Sequence, residues 1–416
     1  MPTAEALLEP RLWSDLLAEC EQRYAQRRAR LNAYRALVES GAALRLASAY
    51  ATGAYEPGLP SRYRLNRAGG RRKVVYRFEP EDDLLFKALN RVLMPGLEAD
   101  LSPDCHSFRP GRGARSAFGR LLADPDLGRK HCLRLDVRDY FNQIDPTDLL
   151  ASLPALMRHD APLLRLLERT LLRPLVLSQG REEIVARKGV MAGTPLAPLL
   201  SNLYLRGLDR ELRGAGLTYA RYSDDLIVFG SAAEVAAAEA RVREHLDSRG
   251  LEVNPEKTRW VQPGRPWEFL GLAWQAGRLD LSRHSAAKLR AKVRRLARRC
   301  DRRRRRHGRT GLQAAQAMLR RLNRKLYGAG GQRSEFNWAT WFFPLLSGDG
   351  TLRALDGHLQ EQVRFAATGR HERRNHRALP YADLRRLGYL PLVAAFHAFR
   401  QGGGAYAALL AKRVLT

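Results

Sequence analysis

Two adjacent acidic residues, Asp224 and Asp225, lie in the middle of a run of strand-forming residues. The run from Arg221 to Phe229 reads RYSDDLIVF, so the pair occupies a tight turn between apolar segments. Like charges held this close repel each other unless a cation lies between them. An acidic pair at a turn is commonly only a solvated turn. The alternative is a site for a divalent metal ion, whose preferred ligands are carboxylate oxygens.

A third carboxylate, Asp136, belongs to a second strand-like run. Residues 133–141 read LRLDVRDYF, which predicts a strand that carries Asp136 to its end. If this strand lies beside the acidic turn, Asp136 and Asp224 converge. Two divalent ions about 3.5–4 Å apart, held by such carboxylates, would serve the in-line displacement of phosphoryl transfer.

Three further motifs accompany these acids, and their order along the chain is more specific for a protein family than any single motif. Between the two acidic sites, residues 188–205 read KGVMAGTPLAPLLSNLYL, a loop of glycine and proline that begins a helix. Residues 250–258 read GLEVNPEKT, and residues 269–272 read FLGL. With these motifs the chain resembles the reverse transcriptases from about Arg71 to Leu272. The resemblance is to the bacterial lineage of group II intron, retron and defence-associated enzymes.

The resemblance implies an α+β fold of the right-hand polymerase type. Its palm would contain a four-stranded antiparallel sheet backed by helices. We expect five regions: an N-terminal helical region at 1–62, fingers at 63–131, the palm at 132–280, a basic helical thumb at 281–330 and a C-terminal helical extension at 331–416.

The resemblance also assigns catalytic roles. Asp136 and Asp224 correspond to the two metal-binding carboxylates, and Asp225 to the auxiliary acid of the turn. The backbone carbonyl of Val137 is expected to contact the metal that holds the triphosphate. Lys257 matches a lysine that protonates the leaving pyrophosphate. We therefore expect two Mg²⁺ ions, for which Mn²⁺ could substitute.

A nucleotide site is implied beside these carboxylates. Phe141 occupies the family's steric-gate position, where an aromatic ring excludes the ribose 2′-hydroxyl and so favours deoxynucleotides; the alternative is an ordinary core phenylalanine. Lys73 and Arg77, on a predicted basic hairpin with a turn at Gly69–Gly70, resemble the residues that fold over the triphosphate. Either cation could instead be merely solvated. Gly193, Thr194 and Pro195 complete the expected site.

The loop at 188–196 departs from the family pattern. Met191 and Ala192 stand where proline and glutamine are usual, so the glutamine that would touch the incoming sugar is missing. The form MAGTP looks more like the defence-associated branch than like intron maturases. This difference puts ordinary processive copying with broad template choice in question.

Contacts with nucleic acid are expected at three places. Arg109 and Arg112, in the FRPGR element, would brace the template strand or the fingers. The segment 269–271 resembles the primer grip, where glycine permits close backbone approach. The full expected set is Arg109, Arg112, Asn202, Phe269, Leu270, Gly271, Arg295, Arg299, Arg302, Arg303 and Arg306.

Charge gives independent support for a polyanionic partner. The 416 residues contain 72 Lys and Arg against 43 Asp and Glu, a net charge of +29. Such a balance favours nucleic acid or an anionic membrane surface. No apolar stretch approaches the roughly 20 residues of a spanning helix, and the N-terminus lacks the pattern of a signal peptide. We therefore expect a cytoplasmic protein that does not bind membranes.

The strongest charge run spans Lys288 to Arg309, with thirteen cations against the single acid Asp301. A narrow apolar stripe of Leu289, Val293, Leu296 and Cys300 predicts a helix with one buried face. A solvated charged face is the alternative, but solvation does not favour one sign so strongly, so contact with phosphates is the better interpretation.

Two other features are expected to be structural. The aromatic residues at 336–343 are more typical of a packing core than of a base-stacking platform. The four cysteines have neither zinc nor disulfide spacing, so we expect reduced, buried thiols. They are Cys20, Cys105, Cys132 and Cys300.

Together these features predict an RNA-directed DNA polymerase that uses deoxynucleoside triphosphates and makes an RNA–DNA duplex. A structured noncoding RNA is the expected template or cofactor, and antiviral defence the expected role. The alternatives are an intron-type or retron reverse transcriptase, or a maturase-like RNA-binding protein with an idle polymerase site. The sequence identifies neither the RNA, the priming mode, the cDNA nor the oligomeric state.

Overall fold

The computed structural model describes residues 3–24, 27–66, 72–173, 175–328 and 337–414. The chain forms two compact units, one ending at Pro263 and the other beginning at Gly264. This division falls inside the segment predicted as palm. The five predicted regions themselves stay a prediction.

The first unit begins with four helices whose apolar stripes pack together. Trp13 and Tyr50 are almost completely buried in this packing. The last helix ends at Gly53, which has a φ of 77° and so adopts the left-handed conformation that glycine favours. The helices are α1 (Thr3–Leu7), α2 (Pro10–Tyr24), α3 (Arg28–Glu39) and α4 (Ala42–Thr52).

The predicted basic hairpin is the start of a larger sheet. Strands β1 (Ser61–Asn66) and β2 (Arg72–Arg77) pair antiparallel. The predicted Gly69–Gly70 turn lies outside the described residues. A second hairpin, β4 (Leu175–Ser178) and β5 (Arg181–Ile184), extends the sheet to the order β2-β1-β4-β5. This extension was missed because β4 comes from a distant part of the chain.

The central part of the first unit alternates helices with the strands of the palm sheet. Here the helices are α5 (Pro80–Leu97), α6 (Ala114–Leu122), α7 (Tyr140–Gln143), α8 (Pro146–Ala151), α9 (Ala155–Arg158), α10 (Ala161–Leu171), α11 (Ala197–Tyr204), α12 (Arg206–Gly214) and α13 (Ala232–Asp247). The strands are β3 (His131–Asp136), β6 (Thr218–Tyr222), β7 (Asp225–Gly230) and β8 (Arg259–Val261).

The palm sheet has the order β6-β7-β3-β8, and each of its pairings is antiparallel. Strand β7 is buried from Leu226 to Gly230, because it lies between two other strands and under α13. The predicted four-stranded antiparallel palm sheet and the α+β class are confirmed.

The second unit combines a three-stranded meander with helices. Its strands are β9 (Trp267–Phe269), β10 (Leu272–Gln275) and β11 (Arg278–Leu281). Its helices are α14 (Arg283–Arg306), α15 (Gly311–Tyr327), α16 (Trp338–Phe342), α17 (Gly350–Thr368), α18 (Asn375–Ala378), α19 (Tyr381–Arg386), α20 (Leu392–Gln401) and α21 (Gly403–Val414).

The predicted apolar stripe of α14 is buried, including Leu289, Val293 and Cys300. The C-terminal aromatic residues pack on each other: the ring centroids of Phe343 and Phe396 lie 5.6 Å apart, and Phe343 is fully buried. The interpretation as a packing core is confirmed for the described aromatic residues, while Phe336 lies outside them.

The cysteines and the question of a membrane-spanning helix can be assessed for the residues that the structure describes. All four cysteines are free and buried, as predicted. Within the described ranges, no helix combines the length and apolar character needed to span a lipid bilayer.

Candidate active site

The three acidic residues meet at one end of the palm sheet. Asp136 is the last residue of β3 and pairs with Asp225, the first residue of β7. Asp224 lies in the adjacent β6–β7 turn, and its carbonyl accepts a hydrogen bond of 3.0 Å from the N–H of Val137. Antiparallel pairing therefore brings together carboxylates that are 88 positions apart in sequence, as the strand pattern predicted.

The acidic turn is anchored by a residue that the sequence did not reveal. Ser223 has a φ of 62°, which is unfavourable for a residue with a side chain. Its N–H donates to the hydroxyl oxygen of Ser107 over 2.8 Å, and that hydroxyl donates in turn to Asn202 Oδ1 over 3.0 Å. Asn202 also donates to the Ser107 carbonyl over 2.7 Å. Ser107 therefore ties the turn to α11.

A buried ion pair supports the same turn from below. Arg221 has no exposed side-chain surface, and its Nε lies 2.7 Å from Asp209 Oδ1. Arg221 Nη1 donates to the Ser223 carbonyl, and its Nη2 to the Asn202 carbonyl. A buried pair of this kind positions more than it stabilises, because desolvation offsets much of the attraction. An arginine inside a buried strand was the available signal, since it requires a partner.

The electrostatics of the site reflect crowded carboxylates. Burial, together with the charges of Asp136 and Asp225, raises the pKa of Asp224 to about 6. Burial also raises the pKa of Asp136, although the hydrogen bond and charge of Lys257 act in the opposite direction. Lys257 Nζ lies 2.5 Å from Asp136 Oδ1, and Arg134 Nη2 lies 2.9 Å from Asp225 Oδ1. Two of the three acids, Asp136 and Asp225, therefore form ion pairs with cationic side chains of the protein.

These residues fit a divalent cation by the chemistry of their donors. Asp136 and Asp224 present hard carboxylate oxygens whose mutual repulsion a cation would relieve. Asp225 and the Val137 carbonyl are the further oxygen donors at these strand ends. Among the described residues, no group of three His, Cys, Asp or Glu is already arranged as a metal cage. Lys257 has to release Asp136 before that carboxylate can bind a metal through both oxygens.

The predicted gate residue lies beside the predicted triphosphate-binding lysine. The Phe141 ring is half-buried against the core, and Lys73 Nζ lies 5.9 Å from its centroid. Phe108 meets the same ring edge-to-face at 6.2 Å. One side of the Phe141 ring packs on the core, and a cation lies at its face. This position is compatible both with the steric-gate role and with that of a core phenylalanine.

The glycine-proline loop joins strand β2 to the Phe141 segment. The Tyr76 N–H donates to the Ala192 carbonyl over 2.8 Å. Gly193 has a φ of 104°, and a Cβ there would come 3.0 Å from the Tyr76 carbonyl. At the other end, a Cβ on Gly189 would come 2.8 Å from the Phe141 carbonyl. Only glycine permits both approaches.

The remaining predicted nucleotide-binding residues are placed differently from one another. Thr194 is buried, and its hydroxyl donates to the Met191 carbonyl over 3.0 Å, so it shapes the loop. Pro195 is half-buried beside it. Arg77 is exposed, with its guanidinium 5.5 Å from the ring centroid of Tyr63.

Two residues predicted to contact nucleic acid are internal. Arg109 has a side chain that is 1% exposed; it forms an ion pair with Glu98 and donates to the carbonyls of Ser102 and Cys105. Asn202 is buried in the network around Ser107. Both side chains brace the protein, and direct contact with a template would require them to leave these partners. Arg112 is partly exposed and donates to the Pro103 carbonyl over 2.8 Å.

In the second unit, the segment that resembles the primer grip is a two-residue turn between β9 and β10. Leu270 and Gly271 both have positive φ angles, of 48° and 84°. A Cβ on Gly271 would come 2.5 Å from the Ser285 hydroxyl oxygen, so the position requires glycine. Phe269 is fully buried, so Leu270, which is half-buried, and the turn backbone are the parts of this segment that remain accessible.

The basic helix α14 presents its predicted arginines to solvent. Arg304 and Arg305 instead pair with the buried carboxylate of Asp301, which lies 2.9 Å from Arg304 Nη2. The arginines predicted to contact phosphate are all exposed: Arg295, Arg299, Arg302, Arg303 and Arg306.

Comparison with known families agrees with this geometry. Residues 81–274 match the family described as "Reverse transcriptase (RNA-dependent DNA polymerase)". These residues contain the three acids, the glycine-proline loop and the turn at 270–271. This segment, which is just under half of the chain, therefore carries a reverse transcriptase domain, and the resemblance predicted for it is confirmed.

Curated relatives narrow the resemblance to the bacterial retron lineage. The chain is 34% identical over 233 residues to the retron Mx65 reverse transcriptase of Myxococcus xanthus, covering 51% of each protein. It is 26% identical over 177 residues to the retron Ec86 reverse transcriptase of Escherichia coli, covering 41% of this chain and 51% of that protein. The chain thus spans about half the length of these relatives. The narrower likeness to the defence-associated branch stays a prediction.

Among solved structures, one similar fold is telomerase from Candida albicans in complex with a fragment of telomeric RNA. The alignment covers 83% of this chain and 65% of the telomerase chain. The sequence identity is 10% and the TM-score is 0.44. Apo telomerase from Candida tropicalis aligns with 57% of this chain, at 12% identity and a TM-score of 0.42.

Proposed function

We propose that the protein is an RNA-directed DNA polymerase. The observation that carries the proposal is the pairing of Asp136 with Asp225 across β3 and β7, with Asp224 in the adjoining turn, inside a segment that matches the reverse transcriptase family. Carboxylates gathered at strand ends are the donor set that phosphoryl transfer requires.

Asp136 and Asp224, with Asp225 and the Val137 carbonyl, would hold two Mg²⁺ ions. When bound, these ions supply positive charge to the attacking and leaving oxygens. Ser107 and Arg221 hold the turn in its unfavourable conformation, so the acids are positioned before substrate arrives. Such preorganisation lowers the reorganisation cost of the chemical step.

Lys73 and Arg77 would bind the triphosphate of the incoming nucleotide, and Phe141 would exclude a 2′-hydroxyl. The contact between Lys73 and the Phe141 ring supports placing both functions in one site. Gly193 and its loop hold β2 against the Phe141 segment. Lys257 would protonate the leaving pyrophosphate, a role that requires it to move from Asp136 toward the substrate.

A structured noncoding RNA is the proposed template or cofactor, and an RNA–DNA duplex the proposed product. The exposed arginines of α14 and the charge of +29 support a polyanionic partner. The resemblance to retron enzymes supports a dedicated RNA template over general copying, with antiviral defence in the cytoplasm as the proposed role.

Primer extension tests the enzymatic proposal. The purified full chain, given an RNA template, a DNA primer, Mg²⁺ and deoxynucleotides, should extend the primer, and ribonucleotides should not replace deoxynucleotides. Sequencing of the nucleic acid that copurifies should recover one structured RNA together with complementary DNA. Binding of RNA without extension under any metal or primer condition would favour the maturase-like alternative with an idle site.

A further inference from the structure

The end of α17 and the segment that follows it form a basic pocket in the second unit. The pocket has a volume of about 600 Å³, within the range of small-ligand sites. Its lining includes three arginines and one acid, Glu372. The lining residues are Thr368, Arg370, Glu372, Arg374, Asn375, Arg377 and Ala378.

The backbone of this pocket is held by specific hydrogen bonds. The buried Asn375 side chain donates to the Arg370 carbonyl over 2.6 Å, which closes the loop between α17 and α18. The Thr368 hydroxyl donates to the Arg364 carbonyl over 3.0 Å, and the Arg370 N–H donates back to that hydroxyl. Arg370 and Arg374 therefore belong to a loop that is held by hydrogen bonds, and Arg377 belongs to α18.

The positive charge of the pocket exceeds what its own partners neutralise. Glu372 forms ion pairs with both Arg370 and Arg374, whose side chains remain 67% and 68% exposed. One carboxylate thus serves two guanidinium groups, and Arg377 adds a third cation to the lining. Exposed guanidinium groups gathered in this way favour an anion with several acceptor oxygens.

A further arginine lies buried under the same segment. Arg364 is 3% exposed, and its Nε donates to the carbonyl of Leu379, the residue directly after α18. Its Nη1 has no hydrogen-bond partner within the described ranges. Burial lowers the pKa of Arg364, and the nearby charge of Glu361 opposes this only in part, so Arg364 adds positive charge beneath the loop.

We propose that this pocket, formed by Arg370, Arg374 and Arg377 around Asn375, binds a phosphate group. The phosphate belongs either to the backbone of a nucleic acid or to a free phosphate-containing ligand, since both present the same tetrahedral set of oxygens. The proposal does not depend on polymerase activity, because binding alone defines it.

The test compares two triple variants of the full chain that lose the same charge. Arg370→Gln/Arg374→Gln/Arg377→Gln removes the pocket arginines. Arg11→Gln/Arg129→Gln/Arg386→Gln removes arginines that are 90%, 88% and 82% exposed elsewhere. Binding of a labelled single-stranded RNA is measured across a salt series. We expect the pocket variant alone to flatten the log–log slope, by about 0.7 for each phosphate that the pocket no longer neutralises.

A second arm separates the two sources of phosphate. Calorimetric titration with inorganic phosphate, at constant ionic strength, should give saturable binding that the pocket variant loses. A change in the RNA slope identifies nucleic acid as the source, and loss of phosphate binding with an unchanged slope identifies a free ligand. Equal behaviour of the two triple variants in both assays would overturn the proposal.

Glu372→Gln is a control for damage to the fold, because it should change binding in the direction opposite to the triple arginine variant. Removing the acid that lines the pocket should tighten phosphate or RNA binding several-fold, whereas damage to the fold would weaken it. Weaker or unchanged binding by a variant that melts like wild type would count against the pocket.

Discussion

The acidic turn of the palm and the basic helix α14 use charge in opposite ways. At the turn, the carboxylates are partly buried, Ser107 and Arg221 hold the turn backbone, and Lys257 and Arg134 pair with Asp136 and Asp225. On α14 the arginines predicted to contact phosphate are exposed, while Arg304 and Arg305 pair with Asp301. We expect the function of the acidic turn to depend on the exact positions of its side chains, and that of α14 to depend on its net charge. Substitutions and salt should therefore affect them differently.

Asp224→Asn should separate the two regions most clearly. Loss of one carboxylate charge removes a metal ligand, so we expect DNA synthesis to fall on the order of 10³-fold or more. RNA binding should stay within a few-fold of wild type, since other cations hold the polyanion. Primer extension and filter binding measure the two quantities. Asp126→Asn, at an exposed acid, is the control, and persistent synthesis by the Asp224 variant would refute the metal assignment.

Lys257 tests whether a fixed cation or a proton donor is needed at the acidic site. Lys257→Met should lower the synthesis rate about 10²-fold, as expected for loss of a general acid. Lys257→Arg keeps the charge beside Asp136 but cannot readily release a proton. Single-turnover rates across a pH series compare the variants. If the arginine variant matches wild type, Lys257 acts only as a counter-ion.

Phe141→Ala tests whether the ring at the edge of the site selects the sugar. Removing the ring should reduce discrimination against ribonucleotides about 10- to 100-fold, the range for a steric contact in a pocket. Phe141→Tyr keeps the ring and should keep the discrimination. Incorporation rates for matched ribo- and deoxynucleotides provide the measurement. Unchanged selectivity in a folded alanine variant would make Phe141 a core residue.

The repulsion between the crowded carboxylates should lower the free energy of unfolding at neutral pH. The folded pKa of Asp224, about 6, lies above its ordinary value of 3.8, so ionisation costs stability as the pH rises from about 4 to 6. Without divalent ions, Asp224→Asn should therefore be more stable than wild type at pH 8, by up to about 3 kcal/mol. The difference should disappear near pH 4. Thermal melting at both pH values, with and without Mg²⁺, checks this sign.

The smallest effect is expected on α14. Replacing Arg302, Arg303 and Arg306 with Gln should flatten the salt dependence of RNA binding by about 0.7–0.9 for each phosphate that the helix no longer neutralises. The helix should persist, because Gln and Arg have similar helix propensity. Replacing Arg304 and Arg305 should instead destabilise the fold, since Asp301 would lose its partners. Identical slopes for wild type and the first variant would mean that those arginines only face solvent.

Sequence reasoning predicted the features that depend on local pattern. Runs of apolar strand-forming residues identified β3 and β7, and the positions of Asp136 and Asp224 relative to them predicted that the acids converge if the two strands are neighbours. The apolar stripe at Leu289, Val293 and Leu296 predicted the buried face of α14. These features follow from side-chain periodicity, which each segment carries in its own residues.

Only the tertiary structure decided which polar side chains face inward. Arg109 and Asn202 looked like nucleic-acid contacts, yet both are buried: Arg109 pairs with Glu98, and Asn202 bonds to Ser107, which lies 95 positions away. Ser107 gave no signal, and Arg221 indicated only that it needs a partner, yet both hold the acidic turn. The pairing of β1 with β4 likewise joins segments more than 100 positions apart. The folded arrangement of the chain decides which partners a polar group meets, so the sequence pattern does not distinguish a residue that supports the fold from one that binds nucleic acid.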